Sequence, residues 1–188
     1  VEIFVMDRWQ FSGRWTLVYG IQSISTERDV RNTTVSSGAP GNPSADYDSI
    51  NPRGGVIYQL SDGVDVFANV SKLYEAPTNF ELEDEASATS ATLDPMQGQV
   101  FEVGSRGRYA LANDGFWRWD VSLYYALIQD EILSQDDPAA PGTSVTSNVD
   151  DTIHAGIEAL LDASFAVSHM ARIEPLLSIT FNEFSFDN

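Results

Sequence analysis

Several kinds of residue are scarce or absent in this chain of 188 residues, and each absence excludes a class of protein. There is no cysteine, which excludes disulfide frameworks, thiol nucleophiles and thiolate metal sites. Histidine occurs only twice, which leaves little imidazole chemistry. No apolar run is long enough for a membrane-spanning helix. Only 10 basic residues stand against 28 acidic ones, and the net charge of −18 argues against nucleic-acid binding, which needs a basic surface.

Enzyme motifs are missing as well. The sequence contains no nucleophile elbow, no phosphate-binding loop and no paired carboxylates in an enclosing context. We therefore predict no enzyme, no cofactor and no catalytic residue. Hydrophobic residues make up 43% of the chain and aromatic residues 11%, which is too rich for a disordered protein.

Apolar and polar residues alternate along most of the chain, with the period of a β-strand. From Trp117 to Leu127 every odd-numbered residue is apolar, whereas Arg118 and Asp120 have the opposite parity. Similar alternation occupies residues 15–22, 56–60, 64–71, 101–111, 150–162 and 172–182, and residues 1–6 are apolar on both faces. Strands of soluble proteins usually have about 5–6 residues and membrane-spanning strands about 9–11. The eight predicted strands include some of 12 residues or more, which favours a membrane β-barrel.

The predicted connections alternate between short and long. Short links fall at residues 11–13, 61–63, 113–115 and 164–169, and two of them contain Asp-Gly, a hairpin signal. Long polar segments lie at residues 26–46, 76–97 and 134–148. This rhythm is typical of outer-membrane barrels, which have short periplasmic turns and long extracellular loops.

Aromatic residues gather near the short links and predict an aromatic girdle at one membrane interface: Trp9, Trp15, Phe116, Trp117 and Trp119. The alternative is a soluble β-sandwich with an aromatic-rich core. Strand length and the loop rhythm favour the barrel.

Five stretches, in the same order along the chain, resemble the barrel of TonB-dependent outer-membrane receptors. They are Val1 to Gly20, Ile50 to Leu82 (INPRGG…YEAPTNFEL), Gln99 to Gly107 (QVFEVGSRG), Trp119 to Leu133 (WDVSLYYALIQDEIL) and Asn148 to Leu161 (NVDDTIHAGIEALL). No single motif is decisive, but five in sequence are specific. The resemblance covers nearly the whole chain.

The resemblance implies an all-β fold: an antiparallel up-and-down transmembrane barrel segment of about eight long strands. As part of a 22-stranded barrel, such a segment forms an open, curved sheet. We expect residues 1–188 to be part of one barrel domain from its C-terminal half, with the plug domain and the final strands absent. If the short turns are periplasmic, both termini are extracellular, which also predicts a fragment. Its two bare sheet edges are expected to pair with other chains.

The resemblance also implies location and function. The expected location is the outer membrane of a Gram-negative bacterium, in contact with its lipid. The expected function is uptake of a scarce ligand, such as a ferric siderophore or another nutrient, energised by the TonB complex through the missing plug. A passive channel or a surface adhesin without a plug is the alternative.

Two sets of residues are candidates for that function. Predicted ligand contacts near the extracellular strand ends are Tyr47, Arg53, Lys72, Tyr74, Asn79 and Asp130. Arg53 and Lys72 are the basic residues among them, so an anionic ligand would have to bind to these two side chains in this part of the chain. Predicted to face the lumen, in cross-strand ion pairs or in contact with the plug, are Glu102, Arg106, Arg108, His154, Glu158 and Arg172.

No metal site is predicted. No His-x-His pair and no acidic triplet surrounds His154, so a structural hydrogen bond is favoured over metal binding. The acidic stretches Glu81–Glu85 and Asp136–Asp137 lack the spacing of a calcium loop and favour solvated loops.

Overall fold

The computed structural model describes residues 1–31, 44–86, 93–136, 142, 144–168 and 170–187. Its elements are β1 (Glu2–Gln10), β2 (Trp15–Asp29), β3 (Ser44–Ser61), β4 (Val64–Glu75), α1 (Asn79–Ala86), β5 (Met96–Ala110), β6 (Phe116–Gln129), β7 (Ile132–Asp136), β8 (Ser144–Asn148), β9 (Thr152–Ser168), β10 (Ala171–Ile173) and β11 (Leu176–Phe186). Among the described residues, no helix combines the length and apolar character that crossing a membrane requires. The predicted all-β fold is confirmed.

One antiparallel sheet of nine strands contains most of the chain. Its order is β1-β2-β3-β4-β5-β6-β9-β10, and β11 continues the pairing with β9 where β10 ends. Eight of the described strands are long, and β10 has only three residues. Pro175 lies between β10 and β11, where a residue without a backbone N–H interrupts the ladder. The sheet is open, since β1 and β11 each lack a second partner strand among the described residues.

The long connections contain more regular structure than the sequence predicted. β2 and β3 stay paired from Trp15↔Tyr58 to Asp29↔Ser44, so the first predicted loop is shortened from both sides. The second contains α1, and the third contains the separate β7–β8 hairpin. The polar composition that suggested loops also suits strands and a helix that extend beyond the hydrocarbon region. We call the end of the sheet where these three connections lie the long-loop end.

Three of the four predicted short links, at residues 11–13, 61–63 and 113–115, form tight turns. The fourth, at residues 164–169, was placed too early, since residues 164–168 belong to β9 and residue 169 lies outside the described residues. Asp62 and Gly63 alone join β3 to β4, and Gly63 has a φ of 78°. Between β5 and β6, Asn113 and Asp114 have φ values of 54° and 56°, and the N–H of Gly115 donates to the carbonyl of Ala112 at 3.2 Å. Two consecutive residues of positive φ match the twist of an antiparallel hairpin.

The sheet has one apolar and one polar face, as the alternation predicts. Val103, Leu123, Ile157 and Phe181 lie side by side across four neighbouring strands on the apolar face. Between 43% and 61% of each of these side chains is exposed. A contiguous apolar surface of this extent is unfavourable in water and suits contact with lipid.

An aromatic belt crosses the apolar face at its short-turn end. The rings of Trp15 and Tyr58 are 4.6 Å apart across β2 and β3, and Trp117 stacks on Trp119 at 4.9 Å and on Tyr109 at 5.9 Å. These residues share the parity of the lipid-facing set. The sequence assigned Phe116 to this girdle, and that assignment is wrong.

Phe116 has the opposite parity to Trp117 and lies on the polar face. The guanidinium carbon of Arg108 is 4.3 Å from its ring centroid, a cation–π contact. Proximity along the chain suggested a girdle position, but the two-residue period decides the face.

Gly104 and Gly156 each lie opposite an aromatic side chain on a neighbouring strand. A Cβ on Gly156 would lie 2.6 Å from the hydroxyl of Tyr124 and 2.4 Å from the carbonyl oxygen of Phe181. A Cβ on Gly104 would lie 2.4 Å from the ring of Phe67. Both pairs are in register on the polar face, so these glycines provide space for the rings.

An arginine introduced on each face of the sheet tests which face contacts lipid. Ile157→Arg in the full-length protein should destabilise the inserted barrel by about 2–4 kcal/mol, the cost of an arginine near the bilayer midplane. The matched control is Glu158→Arg, one residue further along β9 and on the polar face. Outer-membrane levels of folded protein measure the effect. Equal loss in both variants would show that the apolar face does not contact lipid.

The glycine contacts predict a second difference. Gly156→Ala should lower the melting temperature, because the added methyl group overlaps Tyr124 and the backbone of Phe181. Gly54→Ala is the control, since nothing lies within 4 Å of the Cβ position at Gly54. Thermal unfolding of the two purified variants tests this, and equal melting temperatures would contradict it.

Candidate ligand site at the long-loop end

A small hydrophobic cluster lies at the long-loop end, apart from the lipid-facing surface. Val30, Tyr47, Leu82 and Leu93 are buried against one another, and Tyr74 packs on them half-buried. We call these four buried residues the rim cluster. They come from the end of β2, from β3, from α1 and from the residues before β5, so burying them fixes the first two long connections relative to the strands.

Helix α1 begins with a capping box. The N–H of Glu81 donates to the hydroxyl of Thr78 at 3.3 Å, and the Glu81 carboxylate accepts from the N–H of Thr78 at 2.7 Å. Pro77 and Leu82, one before and four after the cap, are both fully buried and can fix the entry angle of the helix. The Arg28 side chain donates to the Pro77 carbonyl at 2.9 Å and joins β2 to this cap.

The predicted ligand contacts Tyr47, Tyr74 and Asn79 differ in accessibility. Tyr47 is only 5% exposed, and its hydroxyl donates to the Leu93 carbonyl at 2.9 Å, so its ring belongs to the rim cluster. Tyr74 is half-buried, and Asn79 is exposed in the first turn of α1. Of the three side chains, Asn79 is the most open to a ligand in this conformation.

Lys72 and Arg53 lie where β3 and β4 separate. The Lys72 ammonium donates to the hydroxyl of Ser49 at 3.2 Å, and that hydroxyl donates to the Asn51 side-chain oxygen at 2.7 Å. The ammonium is also 5.9 Å from the Tyr74 ring centroid. Both basic side chains line a groove of about 570 Å³ that extends over β1 to β6, where apolar residues lie beside charged ones such as Glu102.

Asp130 acts through its backbone in this structure. It has a φ of 55° between β6 and β7, and its carbonyl accepts from the side-chain amide of Asn148 at 2.7 Å. The same amide donates to the Asp94 carbonyl at 2.9 Å, while the Asn148 oxygen accepts from the Asp94 N–H at 2.8 Å. Asn148 therefore joins the bases of two long connections. The sequence reasoning missed it, although it opens one of the resembling stretches.

His154 contacts a carboxylate that the sequence reasoning also missed. Its Nε2 is 3.1 Å from Glu131, whose carboxylate also accepts from the fully buried hydroxyl of Thr152. The ring of Phe184 packs edge-on against the imidazole at 5.0 Å. Glu131 follows β6 in the loop, where no strand parity predicts its direction. The pair connects the base of the β7–β8 hairpin to β9.

Charged side chains on the polar face form local pairs. Glu102 accepts from the amide of Asn69 at 2.7 Å, and Arg106 is 3.6 Å from Asp65. Arg118 pairs with Asp162 across β6 and β9. All three contacts join neighbouring strands. The partner of Glu102 is an amide rather than a cation, and Arg108 lies over the ring of Phe116 instead of joining an ion pair.

Glu158 and Arg172 do not join that ladder. Glu158 is exposed and makes no hydrogen bond or ion pair within the described ranges. Arg172 instead donates to the carbonyls of Asn113 and Asp114, at 3.2 and 2.9 Å, and to the buried Ser164 hydroxyl. Those carbonyls belong to the positive-φ turn between β5 and β6, so Arg172 stabilises a turn at the short-turn end.

No metal site is found in the described part of the chain, where no three His, Asp or Glu side chains converge. In the acidic stretch considered for calcium, Glu81 caps α1. The side chains of Asp84 and Glu85, and the whole of Asp137, lie outside the described residues.

The family model described as "TonB dependent receptor-like, beta-barrel" matches residues 1–188. The chain therefore belongs to the TonB-dependent receptor family, as its barrel portion. Proteins of this family are outer-membrane β-barrels of Gram-negative bacteria and are transport receptors. The outer membrane is thus the location of this chain, and the apolar face is its lipid contact.

Among curated proteins, the metal-pseudopaline receptor CntO of Pseudomonas aeruginosa is 26% identical over 145 residues, which cover 76% of this chain and 19% of that protein. Among solved structures, the copper transporter OprC matches with a TM-score of 0.73 and 17% identity, covering 97% of this chain and 28% of that one. The FrpB iron transporter of Neisseria meningitidis matches with a TM-score of 0.65 and 15% identity, covering 97% and 25%. The structural matches show the fold. This chain spans between 19% and 28% of the length of these proteins.

The Glu131 contacts predict a local effect on the hairpin. Glu131→Ala leaves the buried Thr152 hydroxyl and the His154 imidazole without their acceptor, a loss of about 1–3 kcal/mol. We expect faster cleavage at the β7–β8 hairpin when intact cells that carry the full-length protein are treated with protease. Glu158→Ala is the control, because it removes a carboxylate without a partner in the described part. The same cleavage rate in both variants would contradict the role of Glu131.

Proposed function

We propose that this chain is a wall segment of a receptor that takes up a scarce metal chelate through the outer membrane, energised by TonB. The family match over the whole chain carries the proposal. It is supported by the described fold, whose long amphipathic strands and structured long connections suit a barrel with an external binding surface.

The proposed cargo is a metal bound to an organic chelator, with a ferric siderophore as the first candidate. The matched proteins support this class, since their names specify a metal–pseudopaline complex, copper and iron. The names differ in the metal, and only the first of them specifies a chelator. The family supports only the general class of cargo, and the experiment below identifies the metal.

The residues of this chain would contribute in two ways. Side chains at the long-loop end, including Arg53, Lys72 and Asn79, would contact the arriving ligand. Polar-face residues would line the lumen and meet the plug domain through which TonB acts: Glu102, Arg106, Arg108, His154, Glu158 and Arg172. Glu158 is the most available of these for the plug, because it is exposed and unpaired in the described part of the chain.

Metal-dependent expression and energised uptake test the proposal. Transcription of the parent gene is measured under separate depletion of iron, zinc and copper, and uptake of the inducing metal is compared in wild-type, gene-deletion and TonB-deletion cells. We expect induction by one metal's depletion, and uptake that both deletions abolish. Uptake that survives loss of TonB would indicate a passive channel. Indifference to every metal, without any TonB-dependent uptake, would favour an adhesin.

A further inference from the structure

The three long connections are packed together at the long-loop end. The rim cluster already joins the first two, because it combines residues of β2 and β3 with Leu82 of α1 and with Leu93. Ile132 of β7 packs against the same cluster, and α1 lies against β8. The β7–β8 hairpin, which is not part of the nine-stranded sheet, is therefore in contact with the other two connections.

Asn148 adds hydrogen bonds between the second and the third connection. It is the last residue of β8, and its side chain pairs with both backbone groups of Asp94. The amide donates to the Asp94 carbonyl at 2.9 Å, and the side-chain oxygen accepts from the Asp94 N–H at 2.8 Å. The same amide nitrogen also donates to the Asp130 carbonyl at 2.7 Å, so both of its hydrogens are used. One side chain thus makes three hydrogen bonds, to residues 54 and 18 positions away along the chain.

The position of Asp94 explains why its partner is a side chain. Asp94 lies before β5, and the next residue, Pro95, has no N–H and favours an extended conformation for the residue that precedes it. In the described part of the chain no strand pairs with Asp94, so the Asn148 amide takes the place of a neighbouring peptide group. A side-chain amide has the donor and the acceptor that this requires, whereas a carboxylate would offer no donor.

We propose that Asn148 is a strap that couples the three long connections, so that they loosen and re-form as one cooperative unit. A segment opens by itself only where few buried contacts connect it to its neighbours. Opening of the hairpin alone would break all three Asn148 hydrogen bonds and remove Ile132 from the rim cluster, and opening of α1 alone would expose the fully buried Leu82. In a coupled unit, a ligand that orders one connection lowers the cost of ordering the other two. This coupling is independent of the proposed cargo.

Amide hydrogen exchange detects such units. Full-length receptor purified in detergent is incubated in deuterated buffer, and mass spectrometry follows deuterium uptake by peptides from α1, from the β7–β8 hairpin and from strands β5 and β6. In the wild-type receptor we expect the slowest amides of α1 and of the hairpin to have equal protection factors. Both should be less protected than the amides of β5 and β6, which are paired across the membrane.

Asn148→Ala is the decisive variant, because it removes the three hydrogen bonds and leaves the side chains of the rim cluster in place. We expect the protection factors of both α1 and the hairpin to fall by about tenfold or more, the usual effect of losing several neutral hydrogen bonds. Asn182→Ala is the matched control, since Asn182 of β11 is exposed and makes no hydrogen bond within the described residues. Leu82→Ala is the reciprocal variant: it loosens α1 and should lower the protection of the hairpin as well.

Two results would overturn the coupling. One is unchanged protection of α1 in Asn148→Ala, whether or not the hairpin loosens, because the connections would then open independently. The other is an equal loss of protection in β5 and β6, because Asn148 would then stabilise the wall as a whole. Retained heat-modifiable mobility on gels shows that each variant keeps its barrel.

Discussion

A peptide group in hydrocarbon has no water with which to hydrogen-bond, and this constraint organises the whole chain. It is met by ladders of 9 to 15 register pairs between most of the long neighbouring strands, interrupted where β3 leaves β4. Because strands must stay paired across the membrane, side chains alternate strictly between lipid and the opposite face. The sheet's two faces, its aromatic belt and its short turns all follow from that alternation.

The same constraint explains why so much could be predicted from the sequence. The two-residue period determined which face carries Leu123 or Glu158, and Asp-Gly marked the turn at Gly63. The period is reliable within strands because a slip of one residue would turn every apolar side chain away from lipid. Phe116 was assigned to the wrong face because its closeness to a turn was given more weight than its parity.

Outside the strands the sequence had no comparable rule. Glu131 lies in a connection and Asn148 ends the hairpin strand β8. Their partners Thr152 and Asp94 are 21 and 54 residues away, so only the folded chain brings them together. Tyr47 was predicted as a ligand contact because it is aromatic and near a loop. It is buried with Leu82 of α1, a helix that the polar composition did not reveal, and with Leu93, which lies before β5. The predicted ladder also failed at Arg172, since backbone carbonyls of a turn compete with carboxylates for a guanidinium.

The β7–β8 hairpin has a consequence for how such a surface can vary. Its stem is five residues long on each side, and its base is attached to the wall by Asn148, by Glu131 and by the N–H of Val149 on the Glu131 carbonyl. The stem also packs on the rest of the long-loop end, since Ile132 lies against the rim cluster and Thr146 is buried. A substitution in the stem can therefore alter the surface at the long-loop end while the residues that face lipid stay unchanged.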